Sequence, residues 1–375
     1  MTDHKHLKRL VRERSARTGE SYTTARRHIL AARPAQLHHQ PSGVVRELLL
    51  AAGFSLTEPM ICGLGGGIGF LAAVFDYRGM PPVLTIVAQH HPAPWAPTVL
   101  TRLGIAFTEA HSTAAGPALK ALRAFLAAGR PVYCTVSAAR LPWHPTPVTA
   151  VDADPYGVLV TGESVDGFTV HDDAPHSLPV DAFTLAWSAH RKGRHHRLTV
   201  APGTGGGVAA GVDLRPADLG AAIDSALAET AAHLTGPVLG NAFDANFGFT
   251  GMTRLAAQLR DTRTKSGFTR RFATPPAYAS ALRRVHECLE EQYTAPGATR
   301  PIYAAFLDEA ATLTRRPRLA TAATALRASG AIWSAMATTA RESRDAEPAT
   351  VFATLADLLD EARTIEASAV HLLHP

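Results

Sequence analysis

From residue 213 onward the chain keeps the hydrophobic period of a helix almost without interruption. Helical stretches run over 217–234, 251–260, 277–292, 301–313, 320–341 and 349–367, which predicts an all-α domain over 213–375. Upstream the pattern changes. Short β-like runs at 83–88, 132–136, 158–161 and 168–171 mix with helical patterns at 43–52 and 115–128. This order predicts an α+β domain over 36–200. The segment APGTGGGVAAGV (201–212) between them is low in complexity and reads as a linker. No internal repeat of fixed period is present.

Composition narrows the class further. A chain of 375 residues with 46% hydrophobic residues can bury a large core and is not wholly disordered. Its three cysteines, Cys62, Cys134 and Cys288, lie far apart and outside any CxxC pair, against a disulfide scaffold or a thiolate zinc site. No apolar run reaches the ~18–20 residues that span a bilayer, and no hydrophobic segment follows the N-terminal basic residues. A soluble, cytoplasmic protein without membrane contact is the expectation.

The net charge of +5 is local. Residues 1–35 hold nine Lys/Arg against three acids, whereas the remainder carries 28 basic and 29 acidic residues. This basic arm reads as two short helices, 7–17 and 21–32, joined at Thr18-Gly19-Glu20. The pattern is like the helical half of ribbon-helix-helix DNA binders, but no strand precedes it. Such an arm can neutralise phosphates, dock on an acidic protein or form a solvated face. DNA binding is the least favoured function.

The Gly-rich run Gly63-Leu-Gly65-Gly66-Gly67-Ile-Gly69, read as a loop, lacks the GK[ST] end of a phosphate loop. For a dinucleotide fingerprint the third glycine would fall on Ile68 or Phe70. Tight backbone packing explains it better than nucleotide binding. The 18 histidines include the adjacent pairs 38–39, 90–91 and 195–196, and neighbours rarely face one metal. No metal and no cofactor is expected. Cys134 alternates like a strand-core residue and Cys288 sits in a helical pattern, which leaves Cys62 as the one thiol near a plausible site.

Taken together, His39-Gln-Pro-Ser-Gly-Val-Val-Arg, LTEPMICGLGGGIGF, GRPVYCTVS, LPWHP and YGVLVTG with FTVHDDAP resemble the butirosin biosynthesis protein H family. NFGFTGMTRLAAQLRD and RPIYAAFLDEAATL are similar to the helical domain of unknown function that usually follows it. The resemblance implies a papain-like cysteine-peptidase-type N-terminal domain followed by an all-α domain. It also implies natural-product biosynthesis, in which an acyl group moves from a carrier-protein thioester to an amine. The partner is then an acyl carrier protein or a small acyl or amine substrate. A homo-oligomer is left open.

The family pattern places a cysteine at the start of the first helix, after a histidine. Counting back thirteen residues from Gly53 puts Gln40 there, with His39 before it. The pattern's catalytic histidine stands six residues before a glycine, and counting back from Gly162 reaches Tyr156. The acid that orients it corresponds to Asp172 or Asp173. Glutamine cannot attack a thioester, and tyrosine is a poor base near neutral pH. Gln40 can still donate a hydrogen bond at the oxyanion position.

Three readings follow: an enzyme that promotes amide or ring formation without a covalent cysteine, a pseudoenzyme that binds a carrier protein, intermediate or paralogue, and a DNA-reading regulator. The candidate catalytic residues are Tyr156, Asp172, Asp173, Gln40 and His39. Glu58, Cys62, Gly65, Gly66, Gly67, Ser42 and His144 are candidates for contact with substrate, and Glu58 and His144 also for proton transfer.

Overall fold

The structure, a computed structural model, describes residues 38–144, 155–190, 193–201 and 216–374. The two arm helices, and all but Ala201 of the expected linker, lie outside these residues. Along the first part the order is α1 (Gln40–Ala51), α2 (Glu58–Leu64), β1 (Ile68–Phe75), β2 (Val83–Gln89), α3 (Trp95–Arg102), β3 (Phe107–Ala110) and α4 (Ala115–Ala127). There follow β4 (Val132–Ser137), β5 (Pro155–Ser164), β6 (Gly167–His171), β7 (Pro175–Leu178), α5 (Val180–Trp187) and β8 (Arg197–Val200). Beyond them come only helices: α6 (Pro216–Thr235), α7 (Gly248–Arg260), the single turn α8 (Phe268–Arg271), α9 (Pro275–Glu290), α10 (Arg300–Thr314), α11 (Pro317–Glu342) and α12 (Pro348–Val370), with one 3₁₀ turn before α7. The fold is α+β followed by all-α. Among the described residues no helix is long and apolar enough to cross a membrane.

Among the described residues the strands form two sheets. The larger is antiparallel in the order β3-β8-β4-β5-β6-β7, and β1 pairs with β2 as a separate ribbon. Val132, Cys134 and Val136 of β4 alternate into a core shared with Val158, Val160, Phe168 and Val170 and covered by Leu122 of α4 and Trp187 of α5. A second core joins Val44, Val45, Leu48 and Leu49 of α1 to Ile223 and Leu227 of α6 and to Ile302 and Phe306 of α10. The β1–β2 ribbon packs Phe70, Leu84 and Ile86 on helical residues such as Leu255, Leu282, Trp333 and Phe352.

A buried ion pair fixes that ribbon. The β1 register shifts between Ile68 and Leu71, a bulge that takes backbone carbonyls out of the ladder. Arg300, at the start of α10, donates to Ala88 O at 2.6 Å and Gly69 O at 3.1 Å. It also grips Glu366 of α12 with two bonds of 2.8 Å. Ser329 and Trp333 of α11 donate to the same carboxylate. Both partners are fully buried, so each charge depends on the other.

The Gly-rich run is not the loop expected from the sequence. Glu58–Leu64 is helical, capped by Thr57, whose hydroxyl accepts from Met60 N, and Ile68 already opens β1. A turn over Gly65–Gly67 remains, with φ of +105° at Gly66 and +62° at Gly67. A Cβ on Gly66 would fall 2.3 Å from the His90 ring, and one on Gly67 would fall 2.1 Å from Tyr303. The glycines therefore let aromatic side chains close onto the backbone.

Candidate active site

Helix α1 begins at Gln40, three residues before the expected start, because Pro41 suits its first turn and needs no hydrogen-bond partner there. His39 is its N-cap residue but caps with no side-chain bond. Instead its N–H donates to Glu58. Its ring is buried between Ser42 Oγ, 2.7 Å from Nδ1, and Gln89 Oε1, 2.6 Å from Nε2. The Gln89 oxygen only accepts, so Nε2 carries a proton and Nδ1 accepts from Ser42. His39, Ser42 and Glu58 thus brace the start of α1 from below.

Gln40 faces the larger sheet. Its Nε2 donates to Gly157 O at 2.8 Å and to Asp172 Oδ1 at 2.7 Å. Tyr156 on β5 donates its hydroxyl to the same Oδ1 at 2.8 Å, and Trp143 Nε1 donates to Oδ2 at 2.9 Å. His144 Nε2 lies 3.1 Å from the Tyr156 oxygen and 3.5 Å from Asp172 Oδ2. The structure therefore brings Gln40, Tyr156, Asp172 and His144 together around one buried carboxylate, in the turn after β6. Trp143, within the stretch LPWHP, joins them through its bond to Asp172, a role that no motif marks. Its ring stacks on His176, with centroids 4.0 Å apart and planes within 5°.

The electrostatics follow from this geometry. Burial pushes the Asp172 pKa up, but the nearby His144 ring and the hydrogen bonds from Trp143, Tyr156 and Gln40 outweigh it and hold the carboxyl below its ordinary value. Tyr156 is driven well above its ordinary value, first by burial and then by the Asp172 charge, so it keeps its proton. That proton points at Asp172. The contact with His144 therefore requires His144 Nε2 to be the donor, and in the neutral imidazole Nδ1 then carries the lone pair. His144 Nδ1 makes no hydrogen bond among the described residues, and its side chain is 25% exposed.

Other expectations are placed differently. Both N–H bonds of the Gln40 amide are committed to Gly157 and Asp172, so this side chain is no oxyanion donor. Asp173 is exposed, and its charge reaches Tyr156 through space. Cys62 is fully buried under α1, and burial, followed by the Glu58 charge, pushes its thiol far up. It cannot replace the nucleophile missing at Gln40. Gly65, Gly66 and Gly67 are buried against aromatic rings and offer no open cradle. Cys134 and Cys288 are buried as well.

Of the adjacent histidine pairs, one member each is buried: His39, His90 and His195. His90 follows β2, and Glu229 and His233 of α6 come up beside it, the donor atoms of all three lying within 4.8 Å of one another. Arg102 ion-pairs with Glu229, whose pKa is pulled down to about 2, first by the close approach of His90, against burial, and then by Arg102. The adjacent His91 is not part of this group. Its members meet through the fold and share no short sequence motif.

Residues 39–173 match the family model described as butirosin biosynthesis protein H, N-terminal. Residues 210–373 match a domain of unknown function, DUF4872. No curated protein matches the sequence. The Gln40–Tyr156–Asp172–His144 cluster falls wholly within the first match, and the helical bundle fills the second. With both models matched in that order, the chain belongs to the butirosin biosynthesis protein H family.

Proposed function

We propose that the protein is an acyltransferase-type enzyme of natural-product biosynthesis that joins an amine to an acyl thioester with no covalent cysteine intermediate. The observation that carries this reading is His144, partly exposed and held through Nε2 on the Tyr156–Asp172 pair, with Nδ1 left to accept a proton. The convergence of the first residue of α1 with β5 and the end of β6 is the arrangement that the papain-like resemblance implies, which supports it. The acyl donor is a carrier-protein or free thioester, and the amine belongs to the same substrate or to a second one.

In the reaction His144 Nδ1 takes a proton from the amine as its nitrogen attacks the thioester carbonyl. The C–N bond forms, the C–S bond breaks, and the departing sulfur receives the proton from His144. Asp172 stays ionised and stabilises the imidazolium that forms between these steps. Tyr156 holds the ring in position. Gln40, tied to Gly157 and Asp172, locks α1 to the sheet and is a positioning residue. Orientation of the two reactants supplies a large share of the rate.

The test is single-turnover amide formation from an acyl-phosphopantetheine thioester and an amine, followed by intact-mass analysis of the protein. Product should form without an acyl-protein adduct, and His144→Gln should slow it by ~10²–10⁴-fold. An adduct on the protein, or an unchanged rate in His144→Gln, refutes the mechanism. One observation favours a second reading. Gln40 and Tyr156 satisfy each other's surroundings as a closed network, as expected of a binding protein that has lost its chemistry. That reading predicts a stable complex with a carrier protein and no turnover of any thioester.

A further inference from the structure

We propose that His90, Glu229 and His233 form a binding site for one divalent transition metal ion of the zinc class, which cross-links the end of β2 to α6. The site does not rest on the acyl-transfer reading. Two imidazoles and one carboxylate are a donor set suited to zinc and its neighbours, and they leave a fourth position open. Glu229 and His233 stand one helical turn apart on the same face of α6. His90 Nε2 is 3.1 Å from Glu229 Oε1. Two ligands of a tetrahedral ion bound at ~2.0–2.2 Å are themselves about 3.3–3.6 Å apart, so this pair is already close to a coordination edge.

The state of His90 points to a ligand. Its ring is 2% exposed, its Nδ1 has no partner among the described residues, and its Nε2 contact with Glu229 is misaligned for a hydrogen bond. A buried polar ring left this way is unusual, and a metal ion on one nitrogen would satisfy it. The surroundings hold the donors in place. Gly66 lies against the His90 ring, and Thr230 of α6 donates to Gly66 O at 2.8 Å. Arg102 occupies the other carboxylate oxygen and also donates to Leu64 O, so it fixes Glu229 with Oε1 directed to His90. The imidazoles of His90 and His233 lie face to face, with centroids 4.5 Å apart and planes 11° apart. Coordination therefore requires the less buried His233 ring to rotate until its lone pair meets that of His90.

The experiment uses the full-length protein stripped with a chelator and then titrated with Zn²⁺ against a competing indicator, with Co²⁺ as a visible-absorption probe. Wild type should bind one equivalent that His233→Ala lacks, and the loss should exceed the ~10–100-fold that removing an outer partner costs. Co²⁺ should develop a tetrahedral absorption spectrum in wild type only. The Tm should rise with Zn²⁺ concentration in wild type and stay flat in the variant. The chain has 18 histidines, so the difference between the two proteins is the readout. Should His233→Ala lose its far-UV circular dichroism, Glu229→Gln takes its place. Equal Zn²⁺ affinity and an equal Tm response in wild type and the folded variant overturn the proposal.

Discussion

Replacing Asp172 by Asn probes the carboxylate on which the whole cluster depends. In the native protein Oδ1 accepts from Gln40 and Tyr156 at 2.7 and 2.8 Å, and Oδ2 accepts from Trp143 at 2.9 Å. An asparagine with its oxygen at the Oδ1 position keeps the first two bonds, now neutral. Passing from a charged to a neutral acceptor costs about 1 kcal/mol per bond. Its NH₂ then faces the Trp143 N–H, a buried donor without an acceptor, at a further ~1–3 kcal/mol. Relief from burying a charge offsets part of this, so the net loss is about 2–4 kcal/mol. Urea unfolding of wild type and variant at pH 7 measures it. The pH dependence supplies a sign. A carboxyl whose pKa is depressed in the folded state contributes stability that is complete above its unfolded value of ~3.9 and is lost as pH falls through the folded value. The gap between wild type and variant should stay constant from neutral pH to about 5 and narrow below about 4. A gap below ~0.5 kcal/mol at pH 7, or one that widens on acidification, refutes the claim that these donors hold an ionised Asp172.

Two further perturbations address the scaffold. Glu366→Gln leaves Arg300 buried beside a neutral partner and should cost ~3–5 kcal/mol in denaturant unfolding, whereas a cost under ~1 kcal/mol would mean that the pair does not hold the β1–β2 ribbon. Gly66→Ala meets both a positive φ of 105° and the His90 ring, whereas Gly53→Ala, at φ 91° with nothing within 4 Å, meets only the first. The Gly66 variant should therefore lose at least ~1 kcal/mol more than the Gly53 variant, and equal losses would show that the ring does not press on that turn.

How much could be read from sequence depended on which elements announce themselves. The helices from α6 onward other than the single turn α8, with α1 and α4, carry an apolar stripe at helical spacing and stand where the periodicity placed them. β4 alternates buried and half-buried residues, so its pattern was equally legible. β1 was hidden because IGFLAAVF is a continuous apolar run entered through glycines, with no alternation to mark it. α3 was hidden by prolines, since Pro97 lies within its first turn. α5, β3, β7 and β8 are too short to carry a period. At the site, counting along the family pattern reached Gln40, Tyr156 and Asp172, which the fold brings together. It could not reach the Trp143 bond to Asp172 or the grouping of His90 with Glu229 and His233. Those depend on side chains meeting across elements far apart in the chain.

The two replacements at Gln40 and Tyr156 are best understood together. In the family pattern a thiol at the helix start and a histidine on the strand form a reactive pair, and an acid serves the histidine. Here the acid remains, but both residues in front of it are permanent donors at neutral pH. Each directs a hydrogen at Asp172, and neither can accept a proton from a substrate while doing so. The carboxylate is thereby kept ionised and fixed, and in the proposed mechanism the proton-accepting role passes to the next group that touches it, His144. The same geometry explains why Cys62 is no substitute. Its thiol lies under the first turn of α1, without exposure and next to the negative charge of Glu58, where a thiolate is disfavoured twice over. Restoring a cysteine at Gln40 alone would also fail to rebuild the pair, because Tyr156 would still present a proton where a base is needed. A Gln40→Cys, Tyr156→His double replacement removes both obstacles, and it is the variant in which a covalent acyl-protein adduct becomes chemically accessible.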